Sequence, residues 1–168
     1  MSLSMYQVSV PVLLHNLKAL SKSLDKTAAD SKARKIDPAV IVSYRLAPDM
    51  FTLARQVMLV TDFAKGCGAR LAGVDVPRYE DTETTFPQLK ARIARTIKFL
   101  KSLKARQFEG SETRQITLPV AGKPMTLDGQ TYLFSMVMPN FYFHMTTAYA
   151  IARHCGVPLG KGDFMGRS

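Results

Sequence analysis

The chain has 168 residues, 46% hydrophobic and 21% charged, the balance of a soluble globular protein that forms one domain over 1–168 and buries a core without disulfides or structural metal. No run nears the roughly eighteen apolar residues of a membrane span, and the N-terminus lacks the cationic region and cleavage site of a secretory signal. Cys67 and Cys155 are too few for a zinc knuckle or a disulfide framework, so a cytoplasmic location is expected. The formal charge of +10 attracts phosphates, but the cations are spread over several segments without a nucleic-acid-binding signature, so nucleic acid is not the expected partner.

A first helix is expected over 3–29, where Tyr6, Val10, Leu13, Leu17, Leu20 and Leu24 recur at helical spacing. Pro11 marks either a kink or a later start to its regular part. Residues 30–48 are a long connection, too apolar to stand in solvent, with a short turn or helix between Asp37-Pro38 and Ala47-Pro48. A second helix is expected over 49–73, with Leu53, Val57, Val60, Ala64, Cys67 and Leu71 on one face and Gln56 beside that stripe. Asp62 falls farther round. Ala64, Gly66, Gly68 and Ala69 permit a close helix approach.

Thr84 or Thr85 caps a third helix over 85–106, whose Phe86, Leu89, Ile93, Ile97, Leu100 and Leu103 make the cleanest amphipathic pattern in the chain. Its basic residues read mostly as a solvent face. The period then changes to alternation in Ile116, Leu118 and Val120, and Ala121-Gly122-Lys123-Pro124 supplies a turn, which predicts a hairpin over 115–128. A last helix is expected over 130–155, capped by Asp128 or Thr131 and ended by Gly156. Beyond it, Leu159 and Phe164 are placed to fold back on the rest. The pattern is all-α, a four-helix bundle with a small β-hairpin inserted before the last helix.

The last helix carries the one candidate site. Phe141, His144, Ala148 and Ile151 lie on a single stripe, so His144 looks inward, whereas His154 is rotated roughly 80° away and shares no ligand with it. Pro139 removes a helical hydrogen bond and bends the chain, freeing a carbonyl near residue 135 beside the aromatic cluster. Such a kink makes a pocket of His144, Phe141, Tyr142 and Tyr149, facing Gln56 of the second helix. The alternative is a core histidine satisfied by a hydroxyl or carbonyl, which is a frequent state of buried polar groups.

Three segments, Leu46-Ala47-Pro48-Asp49-Met50-Phe51, Asp81-Thr82-Glu83-Thr84-Thr85-Phe86 and Pro139-Asn140-Phe141-Tyr142-Phe143-His144-Met145-Thr146-Thr147-Ala148-Tyr149, carry a resemblance over nearly the whole chain. The chain resembles the DinB/YfiT-like superfamily, in a bacterial branch built on a domain of unknown function. That resemblance implies a four-helix bundle, a homodimer and relatedness to metalloenzymes. Members with a metal hold a divalent ion (nickel, zinc or manganese) with a histidine on the second helix and a His-x-x-x-His pair on the last. Here His144 matches the first of the pair, but Ala148 stands four residues later and the second helix offers only Gln56 or Asp62. The expected function is therefore the binding of a small-molecule ligand around His144 with the superfamily metal site degenerate. The alternative is a metal-dependent hydrolase or transferase with His144 and Asp62 among its ligands.

Overall fold

The computed structural model describes residues 3–120 and 122–167; Ala121 of the expected hairpin turn, like residues 1, 2 and 168 of the expected domain, lies outside the described residues. Helix α1 (Met5–Ala33) begins at Ser4, whose hydroxyl accepts from the Gln7 amide while the Gln7 side chain accepts from the Ser4 amide. The helix runs through Pro11 without ending, because that residue sits on the exposed side. Its Val10, Leu13, Leu17, Leu20 and Leu24 are buried.

In the following connection, Asp37 caps the short helix α2 (Pro38–Val42), which buries Ile41 and Val42 against α1 and helix α3 (Leu53–Ala72). Helix α3 starts at Leu53, later than the expected residue 49. Arg45 donates to the Met50 carbonyl, Met50 N–H to Ala47, and Leu53 N–H to Tyr44, so residues 44–52 are tied into a loop and Thr52 becomes the cap. Gly73, at φ 68°, ends α3 in the left-handed conformation.

Helix α4 (Phe86–Ser102) is capped by Thr85 with Gln88 reaching back. It stops short of the expected residue 106 because Leu103 turns extended and drops into the core, after which Ala105–Phe108 form a 3-10 turn. Gly68 of α3 meets α4 here: a Cβ on it would stand 2.6 Å from a Leu100 methyl and 2.8 Å from a Leu103 methyl. The spacing between α3 and α4 depends on that missing side chain.

Strands β1 (Gln115–Val120) and β2 (Lys123–Asp128) pair antiparallel, from Gln115 opposite Asp128 to Val120 opposite Lys123. Ile116 is the anchor of this hairpin, being buried while Thr117 and Thr126 face each other outside, hydroxyl to hydroxyl at 2.8 Å. The last long segment is built in three steps: α5 (Gly129–Thr131), capped by Asp128, then a π-helical stretch Tyr132–Val137, then α6 (Met138–His154). The widened π turn lies directly before Pro139, where the missing N–H already interrupts the α-helical ladder. At the far end Gly156, at φ 86°, closes α6, with Val157 N–H donating to the Ala152 carbonyl.

Helix α6 packs on α3, α3 on α4, and α1 on α4, α3 and α6, which makes the four-helix bundle with its inserted hairpin. The tail returns to α1. Leu159 is buried, Phe164 packs edge-on to Tyr149, and helix α7 (Lys161–Phe164) ties to α1 through Lys26–Asp163 and through His15 Nε2, which donates to the Met165 carbonyl at 2.8 Å.

Candidate functional site

The α3–α6 contact sets Gln56 opposite His144. On α6 the stripe of Phe141, His144, Ala148 and Ile151 is buried, with 8% of His144 left exposed. His144 Nδ1 stands 2.7 Å from the Gln56 side-chain oxygen. The nitrogen of the same amide is turned to the Phe51 carbonyl, at 3.4 Å, so its oxygen must face the ring and Nδ1 must donate. That leaves Nε2 as a bare acceptor.

Aromatic rings enclose this imidazole. Phe63 of α3 stacks on it at 5.7 Å between centroids and Phe143 meets it edge-on at 5.3 Å. Burial, and after it the Arg55 guanidinium, hold the His144 pKa below the ordinary histidine value, so the ring is neutral at neutral pH. Among the described residues the buried side-chain polar atoms with no partner are Tyr79 Oη and Ser111 Oγ. His144 Nε2 makes no hydrogen bond among the described residues, and the small exposed part of the residue leaves it near solvent.

The other residues expected at the pocket have partners elsewhere. Phe141 is wholly buried with Tyr142 edge-on to it at 5.5 Å, and the Tyr142 hydroxyl accepts from Asn16 of α1. Tyr149 lies against Phe164 and lines a small apolar cavity with Leu20, Leu24 and Leu159. His154 pairs with the Tyr44 hydroxyl at 3.0 Å, so the two histidines of α6 serve different neighbours.

A second polar centre was not expected from the sequence. Arg92, on the otherwise basic outer helix α4, is 1% exposed, the exception to that helix's solvent-facing cations. Its Nε donates to Thr61 at 2.7 Å, Nη1 to the Glu80 carbonyl and the Glu83 carboxylate, and Nη2 to Asp62 at 2.7 Å and Asp81 at 3.0 Å. Lys65 adds a contact to Asp62 at 2.9 Å, and Arg55 pairs with Asp81. Burial tends to raise the Asp81 pKa, but the hydrogen bond and charge of Arg55, then Arg92, outweigh it and hold the carboxyl below its ordinary value. Two signals existed: Arg92 falls three residues after Leu89 on the apolar stripe, and Glu80, Asp81 and Glu83 form an acidic run in a basic chain.

These positions do not fit a metal centre of the superfamily type. His144 offers one nitrogen, Ala148 replaces the next ligand, and the Gln56 oxygen already accepts from Nδ1. Asp62, the other expected ligand, is instead taken by Arg92 and Lys65. Among the described residues no group of three or more His, Cys, Asp or Glu side chains is placed to hold an ion.

A family model described as a domain of unknown function, DUF1993, matches residues 5–165. The structure is similar to the crystal structure of a DinB family member protein from Shewanella denitrificans, with a TM-score of 0.90 and 39% identity, over 96% of this chain and 92% of that one. Comparison with the curated proteins finds no match. No helix is long and apolar enough to cross a membrane among the described residues. With nearly its whole length matched and the bundle, the inserted hairpin and the His144 helix in place, the chain belongs to the DUF1993 family within the DinB-like superfamily.

Proposed function

We propose that this DinB-like bundle binds a small molecule at His144, in the place where metal-bearing members of the superfamily hold their ion. The observation that carries the reading is the His144–Gln56 pair: an amide anchored to the Phe51 carbonyl fixes the ring as its Nδ1–H form, so Nε2 is left to accept a hydrogen bond. A ligand complementary to this position carries one N–H or O–H donor on an apolar or aromatic body, the donor for Nε2 and the body for the rings of Phe63 and Phe143. The neutral state of the ring supports the same reading, since a charged imidazolium would have no acceptor to offer.

The test is a fragment screen by NMR on protein with labelled histidine. The reading expects donor-bearing aromatic fragments to shift the His144 signals and to lose binding in His144→Ala. Hits that bind His144→Ala as well as the parent protein would assign the ligand to another place.

A further inference from the structure

A second cleft, remote in chemistry from His144, opens between residues 78–83 and α4. It has a volume of about 490 Å³ and is lined by Arg78, Thr82, Gln88 and Arg95, with Glu80 and Glu83 among the acids. We infer that this cleft binds a small molecule through a phosphate group, clamped between the guanidinium groups of Arg78 and Arg95.

Most of the acids around the cleft are already paired. Asp62, Asp81 and Glu83 are consumed by Arg92, Lys65 and Arg55, so they do not neutralise the other cations of the cleft. Arg78 and Arg95 make no ion pair or hydrogen bond among the described residues. Arg95 is nevertheless held in place. Its guanidinium lies 3.7 Å from the centroid of the Tyr79 ring, an arrangement that fixes the plane while leaving the N–H edge free. Arg78 is the neighbour of Tyr79 in sequence, and the loop that carries both is pinned from below where Arg92 bonds the Glu80 carbonyl at 2.9 Å. Among the described residues, two unpaired cations thus line the cleft against one unpaired carboxylate, that of the exposed Glu80.

The neutral donors agree with this. Gln88 turns its oxygen to the amides of Thr84 and Thr85, at 2.9 and 3.1 Å, as part of the α4 cap. Its NH2 end is the part left without a partner, and the Thr82 hydroxyl also makes no bond among the described residues. Two guanidinium forks, an amide NH2 and a hydroxyl offer more donors than the two oxygens of a carboxylate accept, and suit the three terminal oxygens of a phosphate. The cleft is larger than a phosphate ion, which leaves room for the group that bears it.

The probe is inorganic phosphate, titrated at constant ionic strength while the arginine side-chain N–H signals are followed by NMR. Saturable shifts at Arg78 and Arg95 are expected, with affinity falling about tenfold or more in Arg78→Ala and in Arg95→Ala. Arg95→Lys, which keeps the charge and loses the fork, should recover only part of that loss. Lys98→Ala and Lys101→Ala, on the same helix but outside the cleft, should leave binding unchanged, as should His144→Ala. Arg78 is an exposed loop residue, so its variant keeps the test valid if substitution at Arg95 lowers stability. Absence of saturation, or an equal loss in the two lysine variants, would overturn the proposal in favour of a diffuse positive field.

Discussion

The His144 ring donates from Nδ1 to the Gln56 oxygen at 2.7 Å across the α3–α6 contact, and this one bond sets both the tautomer of the histidine and the direction of its remaining lone pair. In Gln56→Glu a carboxylate would replace the amide oxygen and favour the charged ring. The His144 pKa, followed by NMR, should rise by about one pH unit or more. Gln56→Leu would strand the Nδ1–H in the core and cost about 1–3 kcal/mol in urea unfolding.

Stability should carry the same signature. His144 has a folded-state pKa below its unfolded value of about 6.5. Its contribution is therefore fully present above about pH 6.5 and is lost as pH falls from there towards the folded value, because the unfolded chain takes up the proton first. Urea midpoints at pH 7.5 and 5.5 should differ more in the parent protein than in His144→Gln, since His15 and His154 are common to both.

Arg92 holds together α3, α4 and the loop between them. Arg92→Met would leave the mostly buried Glu83 carboxylate without its ion pair and Asp62 and Asp81 with only Lys65 and Arg55, and a loss of about 3 kcal/mol is expected, at the low end for a broken buried pair because Asp62 and Asp81 keep those partners and remain partly in water. Arg92→Lys should recover little, since one ammonium cannot reach Thr61, Glu80 and three acids at once. Chemical denaturation of both variants checks this.

Gly129 is the tightest glycine in the chain for which a side chain meets backbone. A Cβ there would stand 1.8 Å from the Ser111 carbonyl oxygen, at the junction of hairpin and α5. Gly129→Ala should cost about 3 kcal/mol or more, read as a fall in melting temperature, whereas Gly122→Ala in the hairpin turn meets no atom and is penalised only through its positive φ of 79°.

The bundle was legible because burial on one helix face repeats at a fixed period, and α1, α3, α4 and α6 bury the stripes that their sequences announce, with Tyr6 and Ile97 half-buried at their edges. Helix ends were less so: the start of α3 is decided by the hydrogen bonds that fold residues 44–52 into a loop and the end of α4 by burial of Leu103, neither of which helical periodicity records. For the candidate site, the π-helical stretch Tyr132–Val137 before Pro139 was not foreseen, the missing N–H having been read only as a bend, whereas the inward turn of His144 followed from spacing. The hydrogen bond to Gln56 did not, because it joins residues 88 apart. Arg92 shows the opposite case: its place on the stripe was visible, but the charge made the solvent reading the natural one until its acidic partners were brought to it.

The most direct measurement is the long-range proton–nitrogen NMR spectrum of the His144 ring at neutral pH. The expected result is a neutral ring protonated at Nδ1, with an unprotonated Nε2 whose signal moves when a donor-bearing fragment binds. An Nε2-protonated ring, or an imidazolium, would contradict it, because no acceptor would then be left for a ligand.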